Sequence, residues 1–268
     1  MTALKACEID YLPNIAAIEQ ADSISEDKRF RILNGTTEGE TILAINNSRP
    51  PFNQLLVRRA LSHAINREEI IDGAMFGFGV PIGSHFAPHH PSYLDLTGRY
   101  PHDKALAEQL LSEAGLNEFS LTITLPPTTY ARRSGEIIQS QLEAVGIEVN
   151  LEPVEWARWL DSVYSEANYD LTIVSHVEPL DIGIYANSNY YFRYDSSDFN
   201  NLIQSAMHTP EPAKQHEFWQ LAQQHLAEDA VNVFLFELPR VGAARKELIG
   251  LWNNAPIFLN DMAVVRWE

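Results

Sequence analysis

The residues best suited to chemistry lie in one stretch, His176 to Phe199, which reads HVEPLDIGIYANSNYYFRYDSSDF. Tyrosines and carboxylates crowd it without a regular period, directly after a run of β-formers, Tyr169 to Ser175. In open α/β sheets ligands gather beyond the carboxyl ends of strands. His176, Glu178, Asp181, Tyr185 and Tyr190 are therefore the candidate ligand contacts. The alternative for the same residues is an aromatic-rich packing loop.

Other chemistry is poorly supported. His85, His89, His90 and His102 crowd a Gly/Pro-rich segment, but no cysteine or carboxylate is interleaved within His85–His90, and Pro88 interrupts any helical spacing. A transition-metal site needs ligands held rigidly at compatible positions, so these are expected to be exposed loop histidines and no metal site is assigned. Serine, histidine and aspartate all occur, yet there is no nucleophile elbow and no H-E-x-x-H, so a hydrolase is not indicated. The turn PPTTYARRSG lacks the glycines of a phosphate loop. Arg132 and Arg133 at the following helix start could meet an anion or simply be solvated.

The elements that would position these residues are legible from periodicity. Phe119, Leu121, Ile123 and Leu125 alternate with polar residues and predict a strand over 119–125. Ala131 to Val145 reads as a helix ended by Gly146, and Ile147, Val149 and Leu151 as the next strand. Strand, helix and strand in this order form a βαβ unit with a parallel pair. Residues 21–40 are polar and acidic, with Gly35 and Gly39 as turn signals. Thr41 to Ile45 then predicts a strand that Pro50–Pro51 cannot continue. Asn53 is the expected N-cap of a helix carrying Val57, Ala60, Leu61 and Ala64 on one stripe. Asn66-Arg67-Glu68-Glu69 starts another, with Glu69 placed to reach back as in a capping box. A helix is expected over Glu155–Tyr164, two more over Asp198–Met207 and Pro212–Glu228, and an apolar strand over Val231–Phe236.

The 268 residues carry a formal charge of −17, with 45% apolar and 21% charged side chains. That composition is ordinary for a globular protein, and the charge argues against nucleic acid or an anionic membrane as partner. One cysteine, Cys7, excludes an intrachain disulfide.

The segment NNSRPPFNQLLVRRALSHAINREEII resembles the signature of extracellular solute-binding protein family 5, the periplasmic binding proteins of peptide- and nickel-type ABC importers. GFGVPIGSHFAP resembles the glycine–proline loop that follows, and YPHDKALAEQLLSEAGL the next helix. QSQLEAVGIEVNLEPVEW and ALKACEIDYLPNIAAIEQ are similar to further family segments, with Cys7 where the family usually has glycine. The resemblance implies an α/β, periplasmic-binding-protein-like lobe with a partly parallel sheet flanked by helices. Residues 50–232 would be the second, ligand-binding lobe. Residues 1–49 and 233–268 would be remnants of the first, exposing apolar surface near Trp252, Phe258 and Trp267. The hinge would lie near Asn46–Pro51 and Asn232–Phe236.

The resemblance further implies capture of a peptide or related small solute, with Glu178 or Asp181 neutralising a peptide ammonium, and delivery to an inner-membrane ABC permease. Neither cofactor nor nucleic acid is implied. A periplasmic location, a precursor with a signal peptide, and a missing N-terminal lobe of the same protein are the corresponding expectations. Alternatives within the same fold are a ligand-sensing domain of a regulatory protein, or a binding protein for a metal chelate, opine or sugar.

Overall fold

The structure is a computed structural model and describes residues 1–116, 118–178, 181–257 and 259–268. Its principal strands are β1 (Tyr11–Leu12), β2 (Phe30–Ile45), β3 (Val80–Pro81), β4 (Phe119–Leu125), β5 (Ile147–Pro153), β6 (Leu171–His176) and β7 (Asn232–Arg245). They form one sheet of order β1-β7-β2-β6-β4-β5, with β3 against β7. β4 runs parallel to both β5 and β6, as the alternating pattern and the intervening helix require. β2 is antiparallel to β6 and β7, so the sheet is mixed.

Strand alternation divides the core in two. On β2, Leu43 and Ile45 face one layer and Ile42 and Ala44 the other; on β6, Ile173 and Val174 divide the same way. The first layer is closed by the helices Leu55–Ala64, Arg67–Met75, Lys104–Glu113 and Thr129–Glu143. The second is built from Trp159, Tyr169, the 182–194 aromatics and the helices Ser197–His208 and Pro212–Glu228. All four predicted stripe residues, Val57, Ala60, Leu61 and Ala64, are buried. β2 ends where two asparagines take over its hydrogen bonding: Asn46 Nδ2 donates to the Ala167 carbonyl, and Asn47 Nδ2 to those of Ile45, Phe192 and Val231.

Several local expectations are corrected. The glycine-bearing stretch before Thr41 is no turn segment, because β2 already begins at Phe30. Its glycines are needed for close approach: a Cβ on Gly35 would stand 2.0 Å from the Asn253 carbonyl oxygen. The first helix is preceded by Gln54, not capped by Asn53, and has no side-chain cap. Asn66 does cap the next helix, accepting from the Glu68 and Glu69 amides. Glu69 does not reach back; the Asn66 amide instead donates to Gln141 Oε1 at 3.1 Å, and Gln141 Nε2 to Glu69 at 2.9 Å. Beyond Arg158 the backbone widens into π-type turns over Trp159–Ser165, so Trp159 and Val163 are buried while Trp156 and Leu160 are not. Arg133 is paired with Glu19 at 3.0 Å and lies over the Phe76 ring, which leaves it no anion-binding role. Trp252 and Trp267 are exposed, as expected of the tail, whereas Phe258 lies outside the described residues.

Candidate functional site

The site begins with a one-residue irregularity. Thr41 pairs with Phe236 but Ile42 pairs with Phe234, so Leu235 is the extra residue of a β-bulge. A bulge shifts strand parity by one, and parity decides which face a side chain takes. Beyond it Glu237 lies directly opposite Glu40. Two carboxylates thus share the face that carries the second core, and both are buried, at 3% and 2% exposure.

His85 answers the first of them. It comes from the loop after β3, is 1% exposed, donates from Nε2 to Asp181 Oδ1 at 2.7 Å, and sets Nδ1 3.0 Å from Glu40 Oε1 as an ion pair without hydrogen-bond alignment. Burial alone would lower its pKa, but Glu40 and Asp181 outweigh that and raise it to about 10. The ring is therefore an imidazolium bridging two carboxylates. Burial pushes Glu40 up to about 7 against the pull of His85. Asp181 is held below the usual carboxylate range: burial opposes this, and the His85 hydrogen bond prevails.

Around this relay stand the other predicted residues. His176 lies 3.8 Å from Asp181 Oδ2, and its Nε2 pairs with the Tyr191 hydroxyl at 2.9 Å. Burial lowers His176 to about 4, so it is neutral. Tyr185 is 2% exposed; its ring meets His85 edge-on and stacks on Phe192, and its hydroxyl accepts from Asn232 Nδ2 at 3.2 Å. It braces the loop from inside, as the packing alternative describes. Tyr190 is half-buried against Tyr191 and Phe192. Glu178 is exposed at the loop's edge, and its only hydrogen bond among the described residues is from the adjacent Val177 amide. Tyr191, Phe192 and Tyr194 follow the packing alternative and are core residues.

The structure thus brings His176, Asp181, Tyr185 and Tyr190 together and adds Glu40, His85, Glu237 and Asn232. The expectation of exposed histidines fails for His85, whose carboxylate partners come from β2 and from the loop after β6. It holds for His89, which is exposed yet accepts a role beside Glu38 at 2.7 Å. A signal for the missed residues was present: a glutamate inside the apolar run VNVFLFELPRV, and Glu38 and Glu40 two apart on one strand.

The same geometry limits the chemistry. Glu40, His85 and Asp181 offer ligand atoms within 4.8 Å of one another, but each imidazole nitrogen faces a carboxylate as an ion pair, so a metal there would have to displace a ring proton. Ser196 and Asp229 both approach His225 through the same nitrogen, Nε2, at 3.0 and 3.5 Å. A serine triad needs the two ring nitrogens to serve different partners, and Ser196 is in any case occupied as a helix cap.

Comparison with known proteins gives the family and the fold. The family model described as bacterial extracellular solute-binding proteins, family 5 Middle, matches residues 1–198. The chain belongs to that family. Its members are binding proteins. Among curated relatives, the heme-binding protein A of Haemophilus influenzae is 29% identical over 157 residues, 56% of this chain and 28% of that protein. The dipeptide-binding protein of Escherichia coli is 24% identical over 266 residues, 91% of this chain and 48% of that protein. The chain thus spans about half or less of the length of these relatives. Among solved structures, Helicobacter pylori DppA in complex with the peptide STSA superposes with a TM-score of 0.87 at 22% identity, over 100% of this chain and 54% of that one. The dipeptide-binding protein of Pseudoalteromonas sp. SM9913 in complex with Met-Leu gives 0.84 at 22%, over 100% and 55%. The fold is therefore that of a periplasmic binding protein. Among the described residues no helix is long and apolar enough to cross a membrane.

Proposed function

We propose that this chain is the ligand-gripping part of the solute-binding component of an ABC importer, capturing peptides or a related small solute in the periplasm for an inner-membrane permease. The observation that carries the proposal is the family match, because residues 1–198 include every member of the buried network except Asn232 and Glu237. The names of the relatives, dipeptide-binding above all, support a peptide as the solute. The sequence has no nucleophile elbow and no H-E-x-x-H, and Ser196, the serine beside His225, caps a helix, which favours binding over catalysis.

The rest of the cleft would come from a further lobe of the same protein, with residues 50–232 as the lobe described and residues 1–49 and 233–268 as strands and tail shared with the other. Solute binding favours closure only through contacts made better in the closed state. The Glu40–His85–Asp181 relay fixes the loop, and exposed Glu178 is the carboxylate left to meet the solute there. Calorimetry against a panel of di- to tetrapeptides tests this. At least one should bind saturably, and Glu178→Gln should weaken it on the order of 10- to 100-fold, since a hydrogen bond to a charged group contributes roughly 1.5–3 kcal/mol. Unchanged affinity in the variant would remove Glu178 from the site; no binding by any peptide would remove peptides as the solute class.

A further inference from the structure

We propose that His176, Glu178 and Asp181 form a site for one divalent transition-metal ion on the solvent side of the loop after β6. The proposal goes beyond the peptide reading and does not rest on it, because the ion is held by this chain's own side chains. Each of the three residues presents a ligand atom, and these atoms lie within 4.8 Å of one another. One imidazole nitrogen with two carboxylate oxygens is a donor set that zinc and its first-row neighbours take. Magnesium and calcium prefer oxygen ligands alone and fit it poorly.

The backbone sets the three side by side. His176 ends β6, and Asp181 opens the short helix Asp181–Ala186. Glu178 stands between them in the chain and is exposed. His176 Nδ1 and Asp181 Oδ2 are 3.8 Å apart. That is too long for a hydrogen bond, which would draw them to about 3 Å. Two donors each about 2.1 Å from one ion stand about 3–4.2 Å apart, so the gap suits a shared metal. Glu178, on an exposed side chain, closes the remaining distance.

The far atoms of the two inner ligands are already held, which leaves the near atoms to the ion. His176 Nε2 pairs with the Tyr191 hydroxyl at 2.9 Å, and the His176 ring stacks on that of Tyr191. A metal on Nδ1 fixes the ring proton on Nε2, which then donates to Tyr191. Asp181 Oδ1 accepts from His85 at 2.7 Å, so Oδ2 is the oxygen left for the ion. Such outer partners orient metal ligands and raise affinity. Access is open as well: His176 and Asp181 keep 11% and 16% of their side chains exposed. Among the described residues no lysine or arginine pairs with Glu178 or Asp181. The buried Glu40–His85–Asp181 group differs, since each nitrogen of its ring faces a carboxylate. Three protein ligands leave coordination positions for water or a donor of the solute.

Calorimetry with Zn²⁺ alone, on protein freed of metal by chelation, tests the assignment. One Zn²⁺ per chain should bind, and a large excess of Mg²⁺ should not displace it. Glu178→Gln and His176→Gln should each weaken Zn²⁺ binding about tenfold or more. His208→Gln, at an exposed histidine elsewhere, should leave it unchanged. Co²⁺ in place of Zn²⁺ should give visible absorption bands that His176→Gln alters. No uptake of Zn²⁺ by the wild type overturns the inference. So does uptake that either variant leaves unchanged, which is adventitious surface binding. If His176→Gln does not fold, Glu178→Gln decides alone, because it alters an exposed side chain. Peptide titrations run with chelator present leave the peptide reading to stand or fall separately.

Discussion

Replacing His85 by leucine removes the cation from between two carboxylates while keeping most of the side-chain volume. Glu40, at 3% exposure, and Asp181, at 16% side-chain exposure, would then face one another with no intervening charge. Deleting one member of a buried ion pair costs about 3–5 kcal/mol. For a chain of this size that corresponds to a melting temperature lower by roughly 6–20 °C. The pH dependence identifies the cause. His85 is raised to about 10, so its contribution is complete below its unfolded pKa of about 6.5 and is lost as pH rises through 10. Glu40 is raised to about 7, so the folded state holds its proton and stability declines as pH rises from about 4.5 through 7. The deficit of His85→Leu should therefore be largest below about pH 6.5 and should shrink as pH rises toward 10, where the wild-type ring itself loses its proton. Urea unfolding of both proteins at pH 4.5 and 7.5 measures this, and adding Glu40→Gln to the variant should recover much of the loss. A deficit below about 1 kcal/mol at pH 7.5, or one equal at the two pH values, would refute the relay as an electrostatic element.

Cys7 sits at φ 57° immediately beyond the first helical turn, so Cys7→Gly should stabilise the fold by about 1 kcal/mol, read as a small rise in urea midpoint. The exposed residues Trp252, Met262, Val264 and Trp267 offer an apolar surface for self-association. Sedimentation should show mass rising with concentration, and Trp252→Glu should abolish the rise; a monomer at all concentrations would count against it.

Much of the sheet was legible because its signals are local. The alternation at 119–125 and the β-formers at 171–176 lie within single elements, and parallel pairing follows from the helix between strands. Cys7 was legible too, since its glycine-like position carries the positive φ that glycine tolerates. The start of β2 was not legible, because Gly35 and Gly39 are turn signals locally. Only the packed tail, with Asn253 against Gly35, explains why a strand needs them. The heart of the site was hidden for the same reason. Nothing adjacent to His85 in sequence distinguishes it from His89 or His90; its partners arrive from β2 and from the loop after β6. Glu237 faces Glu40 only because Leu235 is bulged out, and one inserted residue reverses which face every later side chain takes. Tyr185 was read as a contact because aromatic loops serve both binding and packing, and only the folded loop shows it buried against Phe192.

The central claim is that this fold holds a small solute. Native mass spectrometry of the protein, purified gently and without refolding, addresses it most directly. The account predicts a stoichiometric adduct of peptide size that fragments to a species carrying an amine or guanidine and is lost on denaturation. A chain that carries no adduct and takes up none from a peptide mixture would contradict it.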